Sequence, residues 1–87
     1  MSRVFVVEDE VLVARDIKNR LEKLGYQVIG TAARGDDAVS RVLSERPDLI
    51  LMDINLKGDM DGIEAADRIR AEADLPIIFC TAYSNDE

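Results

Sequence analysis

Short apolar runs alternate along the chain with longer stretches in which apolar residues recur every three or four positions. The first run, RVFVV at positions 3–7, is rich in β-branched residues and ends in acids, which predicts a strand buried on both faces. Between positions 11 and 24 the apolar spacing becomes helical, and Gly25 follows where a C-terminal cap is expected. The chain therefore opens with a strand and an amphipathic helix.

The same alternation continues to the end of the sequence. Pro47 marks the end of the second helix. The spacing of Ser84 and Glu87 is typical of a capping box, which predicts the start of a further helix. The order βαβαβαβ predicts an α/β fold with a parallel sheet and helices on both faces. After the first helix, the predicted elements are strands over 26–30, 48–53 and 76–81 and helices over 35–46 and 62–73.

Composition narrows the class of protein. With 47% hydrophobic and 33% charged residues in 87 positions, the chain has the balance of one small globular domain. The net charge of −7 argues against a nucleic-acid-binding surface and fits a protein that binds cations or basic partners. A single cysteine, Cys80, excludes an internal disulfide and favours the cytoplasm. The apolar runs are too short for a membrane span, and the lack of histidine excludes catalytic triads and histidine-bound zinc.

Polar residues fall at the carboxyl ends of the predicted strands, where open parallel sheets bind their ligands. Glu8 and Asp9 follow the first strand, Asp53 closes the third, and Asn55 lies two residues beyond it. Thr81 closes the fourth strand. Three carboxylates at one edge repel one another unless a cation joins them, and hard oxygen ligands favour Mg²⁺. The sequence therefore predicts a magnesium site that can also receive a phosphate group.

Each of these residues also has a purely structural interpretation. Asp9 belongs to a favoured helix-capping type, Glu8 can be a solvated turn residue, and Thr81 can satisfy a strand-end hydrogen bond. Asp53 is harder to explain in this way because it directly follows the apolar run LILM. The conjunction of these residues carries more weight than any one of them.

The segment from Asp53 to Glu64 also matches a calcium-binding EF-hand loop at its first, third, sixth and twelfth positions. The match fails at the fifth position, where Lys57 puts a cation in place of a ligand. It fails again upstream, where an EF-hand needs a helix and the sequence RPDLILM predicts a strand. The pattern therefore favours a strand-end aspartate over a calcium loop.

Four separated elements together resemble the receiver domain of two-component response regulators. They are the Glu8-Asp9 pair after RVFVV, Asp53 after LILM, the sequence MDGIE at 60–64, and TAY from Thr81. The resemblance covers the whole chain in order and spacing. It implies a flavodoxin-like, doubly wound parallel sheet with strand order 2-1-3-4 and a fifth strand beside the fourth.

The resemblance also implies a role for each matching residue. Asp53 would accept a phosphoryl group from a histidine kinase or phosphotransfer protein. Asp9 and Asp53 would bind Mg²⁺ through their carboxylates, Asn55 through its backbone carbonyl and Glu8 through a water molecule. Thr81 would donate its hydroxyl to a phosphoryl oxygen and report phosphorylation to the next helix. These roles describe a signalling switch and not a metabolic enzyme.

The sequence departs from the receiver pattern in two places. The loop INLKGDMDG after Asp53 has Lys57-Gly58 where the family often has a proline, and Gly58 can take backbone angles that other residues avoid. The fifth strand with its lysine and the last helix are not present. We therefore expect residues 1–87 to form one receiver domain that is truncated after the fourth strand and the start of the fourth helix. Its fourth strand would be an unpaired edge, available for a homo-oligomer or swapped dimer.

Two other functions stay open at this point. The same fold can serve as an interaction module that never accepts a phosphoryl group. A haloacid-dehalogenase-like phosphatase also uses a strand-end aspartate, but that family places Asp-x-Asp after its first strand, where this sequence has Glu8-Asp9. Phosphorylation of Asp53 would separate the switch from the module, and turnover of a phosphate ester would indicate the phosphatase.

Overall fold

The computed structural model describes residues 2–80, so Thr81 and the predicted capping box at 84–87 lie outside the described residues. Strands and helices alternate strictly in the described part, as the apolar pattern predicts. Their bounds are β1 Arg3–Val7, α1 Val11–Lys23, β2 Gln27–Ala32, α2 Gly35–Glu45, β3 Leu49–Asp53, α3 Gly62–Glu72 and β4 Ile77–Cys80.

The four strands form one parallel sheet in the order β2-β1-β3-β4. Val4 of the inner strand β1 pairs with Val28 of β2 on one side and with Leu49 of β3 on the other. Ile50 of β3 pairs in turn with Ile77 of β4. Because neighbouring parallel strands cannot be joined by a tight turn, each connection carries a helix back along the sheet. The predicted flavodoxin-like, doubly wound sheet with order 2-1-3-4 is confirmed.

The sheet is buried on both faces at β1, where successive side chains point to opposite sides. Phe5 and Val7 join the core cluster with buried residues of α2 and α3. Val4 and Val6 point the other way, and they too are fully buried, because α1 packs on that face of β1. The run RVFVV is apolar at four successive positions because neither of its faces meets solvent.

The main boundary difference from the sequence prediction is in β2. This strand begins one residue after the predicted 26–30 and ends two residues beyond it, because its backbone keeps pairing with β1 as far as Ala32. After α1, Gly25 adopts φ = +97°, the left-handed conformation expected beyond a helix C-terminus. Neither detail moves the strand ends that carry the polar residues.

β4 forms one edge of the described sheet, and among residues 2–80 it pairs only with β3. Ile78, within β4, keeps 52% of its surface exposed. An exposed apolar side chain on an edge strand agrees with the expectation that this side of the sheet is open in residues 2–80.

The helices of the described part are short. The longest, α1, has 13 residues, whereas a bilayer-spanning helix needs about 20 apolar residues. Within residues 2–80, none of the helices has the length and apolar character required to cross a membrane.

Candidate functional site

Three carboxylates meet at the carboxyl ends of β1 and β3. Val7 pairs with Met52, so the residues that follow them, Glu8 and Asp53, lie side by side at the carboxyl edge of the sheet. One carboxylate oxygen from each of Glu8, Asp9 and Asp53 lies within 4.8 Å of the others. Glu8 and Asp53 are only 3% and 5% exposed, whereas Asp9 is half-buried. The structure thus brings together the three acids that the sequence places at this edge.

Glu8 carries a buried carboxylate whose hydrogen bonding is incomplete. The N–H of Glu10 donates to its Oε2 at 3.1 Å, but Oε1 is buried and has no hydrogen-bond partner among residues 2–80. Burial raises the pKa of Glu8 to about 7; the hydrogen bond from Glu10 opposes this shift, and the neighbouring Asp9 and Asp53 add to it. A buried carboxylate oxygen of this kind, facing two further acids, favours a bound cation.

The backbone after β3 orients the Asp53 side chain. The N–H of Asn55 donates to Asp53 Oδ1 at 3.2 Å, which makes an Asx-type turn. The N–H of Gly62 donates to the Ile54 carbonyl at 2.8 Å. The loop 54–61 therefore leaves β3 and returns to the same point before α3 begins, and Asn55 lies beside the acid cluster as the sequence predicts.

Neither structural interpretation of the acids after β1 holds. The N-cap position of α1 is occupied by Glu10, with no side-chain capping hydrogen bond, so Asp9 does not cap the helix. Glu8 is buried and is not a solvated turn residue. Both acids therefore face the site without the alternative roles that the sequence left open.

The calcium-loop alternative is wrong. Asp53 ends a strand, where an EF-hand requires a helix. Glu64, the twelfth position of that pattern, lies on α3, and its Oε2 accepts a hydrogen bond from Arg68 at 3.1 Å. Asp61, the N-cap of α3, accepts the N–H of Glu64 at 2.9 Å. The acidic residues at the end of this loop start a helix and do not encircle an ion.

The end of β4 approaches the site beside Asp53. Cys80 pairs with Asp53 in the sheet register, and burial, together with the carboxylates of Asp53 and Glu8, raises the pKa of its thiol. The thiol is therefore neutral at pH 7 and a poor nucleophile. Thr81 follows directly but lies outside the described residues, so its role stays a prediction.

The buried carboxyl of Glu8 predicts an unusual pH dependence of the metal-free protein. The pKa of Glu8 is raised from 4.5 to about 7, so its carboxyl binds a proton more tightly in the folded chain than in the unfolded chain. This difference stabilises the folded chain below pH 4.5, and the stabilisation is lost as the pH rises to about 7. We expect the free energy of unfolding in EDTA to fall by on the order of 2 kcal/mol over that range. Urea denaturation at several pH values measures this fall in the free energy of unfolding.

The matched variant for this measurement is Glu8→Gln, which keeps the size of the side chain and removes the titrating group. Its free energy of unfolding should lack the fall that the wild-type chain shows between pH 4.5 and 7. Parallel pH profiles for the two proteins would contradict the assignment of the effect to Glu8.

The donor set fits a small divalent cation. Two buried carboxylates, a third half-buried one and an orphaned carboxylate oxygen supply the hard oxygen ligands that Mg²⁺ prefers. The fold and these acids together define a class of protein: a doubly wound α/β domain with an acidic, cation-type site at the carboxyl edge of its sheet.

Comparison with known proteins places the chain within that class. The sequence profile of the response regulator receiver domain matches residues 4–87, and the chain belongs to this family of two-component signalling proteins. The transcriptional regulatory protein PdtaR of Mycobacterium tuberculosis is 38% identical over 82 residues, which are 94% of this chain and 40% of PdtaR.

Solved structures of receiver domains have the same fold as this chain. The signal receiver domain of a modulated diguanylate cyclase from Desulfovibrio desulfuricans superposes with a TM-score of 0.87 at 44% identity, over 93% of this chain and 65% of that one. PhyR from Bartonella quintana, in complex with the anti-sigma factor NepR, gives a TM-score of 0.82 at 40% identity, over 90% of this chain and 32% of PhyR. The chain therefore spans less than two thirds of the length of each of these relatives.

Proposed function

We propose that Asp53 accepts a phosphoryl group from a partner histidine kinase or phosphotransfer protein, with Mg²⁺ as cofactor, so that residues 1–87 act as one phosphoryl-accepting signalling domain. The observation that carries the proposal is the cluster of Glu8, Asp9 and Asp53, whose carboxylate oxygens lie within 4.8 Å of one another at the end of buried strands. The coarser role, a receiver domain of a two-component system, follows from family membership.

The ligands we assign to Mg²⁺ are the carboxylates of Asp9 and Asp53, the backbone carbonyl of Asn55 and, through a water molecule, Glu8. When bound, the ion would supply positive charge to the equatorial oxygens of the phosphoryl group during transfer. The burial of Glu8 and Asp53 limits access of water to the cluster, which strengthens the electrostatic interactions within it.

Phosphoryl transfer requires mainly that the protein position the attacking carboxylate and the phosphoryl group. A carboxylate oxygen of Asp53 forms a bond to phosphorus, in line with the phosphorus–nitrogen bond of a donor phosphohistidine, which breaks. The electron pair of the broken bond stays on the imidazole nitrogen, which takes up a proton. The product is an acyl phosphate on Asp53. The N–H of Asn55, bound to Oδ1 at 3.2 Å, fixes the orientation of the attacking carboxylate.

The product is more highly charged than the original carboxylate, and this change supplies the signal. We assign to Thr81, which follows β4 directly, the donation of its hydroxyl to a phosphoryl oxygen. Such a bond favours one of two arrangements of the adjoining loops, so phosphorylation shifts an existing equilibrium. A chain that works in this way is a component of a signalling pathway and does not turn over metabolites.

Acetyl phosphate provides the direct test. Incubation of the folded chain with acetyl phosphate and Mg²⁺ is expected to add the mass of one phosphoryl group, measured by intact-protein mass spectrometry. With EDTA in place of Mg²⁺, the rate should fall at least about tenfold, because charge neutralisation is lost. A folded chain, verified by circular dichroism, that gains no mass with Mg²⁺ would contradict the proposal.

A second candidate function is protein binding without phosphoryl transfer. The similar PhyR of Bartonella quintana has been solved with an anti-sigma factor bound, so a relative of this chain engages a protein other than a kinase. Under this alternative, wild type and Asp53→Asn would bind a protein partner equally and neither would gain mass.

A further inference from the structure

The loop that follows Asp53 is attached to the connection between β2 and α2. Arg34, in that connection, forms a parallel backbone bridge with Lys57 in the middle of the loop. Gly58 has φ = +90°, and its open face lies against the Arg34 side chain: a Cβ added there would be 2.9 Å from the guanidinium carbon. Glycine is therefore favoured at this position by its backbone angle, and its lack of a side chain lets the end of the Arg34 side chain lie against the loop.

The guanidinium of Arg34 is itself held in place. Its Nε donates to Asp36 Oδ1 at 3.2 Å and its Nη2 to Asp36 Oδ2 at 3.3 Å, a two-point contact that fixes the plane of the group. The side chain is 55% exposed, so this ion pair alone contributes little to stability. The salt bridge therefore serves mainly to keep the guanidinium of Arg34 against Gly58, and it adds little to the free energy of unfolding.

The two elements that flank this connection also contact the backbone around the site. The Ala32 carbonyl accepts the N–H of Glu8 at 2.9 Å. At the start of α2, a Cβ on Gly35 would lie 2.9 Å from the Met60 carbonyl oxygen. The end of β2 is thus bonded to the backbone that carries Glu8, and the start of α2 is packed against the loop that carries Asn55.

We propose that Arg34 is a positioning residue for the cation site. Its side chain holds the loop 54–61 at the distance from Glu8 that lets the assigned ligands bind the same ion. This inference rests on the proposed function, because it assigns a task at the same site. Lys57 and Gly58 follow Asn55 in the same loop by two and three residues. A displacement of the backbone there would therefore also move the Asn55 carbonyl that we assign to Mg²⁺. Arg34 restrains this loop without a hydrogen bond or ion pair to any of the three site acids, Glu8, Asp9 and Asp53.

The first test compares Arg34→Ala with Arg20→Ala. Arg20 is a suitable control because it also forms an exposed ion pair, with Asp16 at 3.0 Å, but on α1. We expect Arg34→Ala to raise the Kd for Mg²⁺ about tenfold, measured by isothermal titration calorimetry. Its Tm in EDTA should fall by less than about 4 °C. Arg20→Ala should leave the Kd unchanged. An unchanged Kd in Arg34→Ala would overturn the proposal.

The second test measures the contact between Arg34 and Gly58. Gly25 has nearly the same φ, +97°, but nothing lies within 4 Å of an added Cβ, so Gly25→Ala reports backbone strain alone. In the wild-type background, Gly58→Ala should lower Tm by about 2–4 °C more than Gly25→Ala does, because the Arg34 side chain must move aside and give up its contact with Asp36. In the Arg34→Ala background the two losses should become equal. Equal losses in both backgrounds would overturn the proposal.

The two proposals fail in distinguishable ways. If the wild-type chain neither binds Mg²⁺ nor gains a phosphoryl group, the proposed function falls and the positioning role falls with it. If wild type does both and Arg34→Ala behaves identically, only the positioning role is wrong.

Discussion

Asp53→Asn is expected to gain no phosphoryl group from acetyl phosphate and Mg²⁺, while the wild-type chain gains one. The amide that replaces the carboxylate is not a nucleophile, and at the cation site it puts a neutral oxygen in place of a charged ligand. Because Asp53 is buried beside Glu8 and Asp9, loss of its charge should also stabilise the metal-free fold by about 1 kcal/mol. Intact mass and urea denaturation measure the two effects.

Asp48→Asn is the matched control, because Asp48 immediately precedes β3 and Asp53 ends the same strand. The Asp48 carboxylate accepts the N–H of Arg3 at 2.8 Å, a bond that an asparagine carbonyl can also accept. This variant should be phosphorylated like wild type. Retention of the mass gain in Asp53→Asn would show that another residue is the acceptor.

Gly62→Ala is expected to be the most damaging single-methyl change near the site. A Cβ at position 62 would overlap the carbonyl oxygen of Asp53 and crowd the carbonyl carbon, atoms of the backbone that cannot swing aside. We expect the free energy of unfolding to fall by about 2–4 kcal/mol. Any molecules that remain folded must displace the acceptor, so the initial rate of phosphorylation per folded molecule should fall as well.

Gly35→Ala provides the control for this variant, since Gly35 also begins a helix. Its added Cβ would meet the Met60 carbonyl oxygen at 2.9 Å, a milder contact than the overlap at position 62. The loss of stability should therefore be clearly smaller than for Gly62→Ala. Alanine is intrinsically preferred over glycine in helices, so helix propensity cannot produce a loss. Equal stabilities of Gly62→Ala and wild type would contradict the close approach described here.

The alternation of strands and helices and the composition of the acid cluster could be predicted from the sequence because both depend on periodic signals, whereas the strand order 2-1-3-4 is implied by the resemblance to receiver domains. The apolar run at 3–7 marks an inner strand, and the acids that follow it must then lie at the carboxyl edge. Asp53 is predictable for the same reason. These positions follow from local pattern and general topology, without knowledge of any particular tertiary contact.

Other features depend on tertiary contacts that leave no such pattern. Arg34 is one of eight arginines in the sequence, and only the fold brings it onto Gly58. The positive φ of Gly58 agrees with the expectation of unusual backbone angles there, but its partner could not be read from the sequence. The extension of β2 to Ala32 is set by pairing with β1 and not by its own residues. The incomplete hydrogen bonding of Glu8 likewise emerges only from packing.

The inner position of β1 has a consequence for how the chain folds during synthesis. β1 is made before the other described strands, and its partners come later: Val4 pairs with Val28 in β2 and with Leu49 in β3. Parallel pairing allows no early hairpin, so this apolar strand stays unpaired until α1 and β2 have been made, and its second partner, β3, follows later still. Formation of the sheet is then limited by the closure of long loops, and the acid cluster is assembled only when β1 and β3 finally meet.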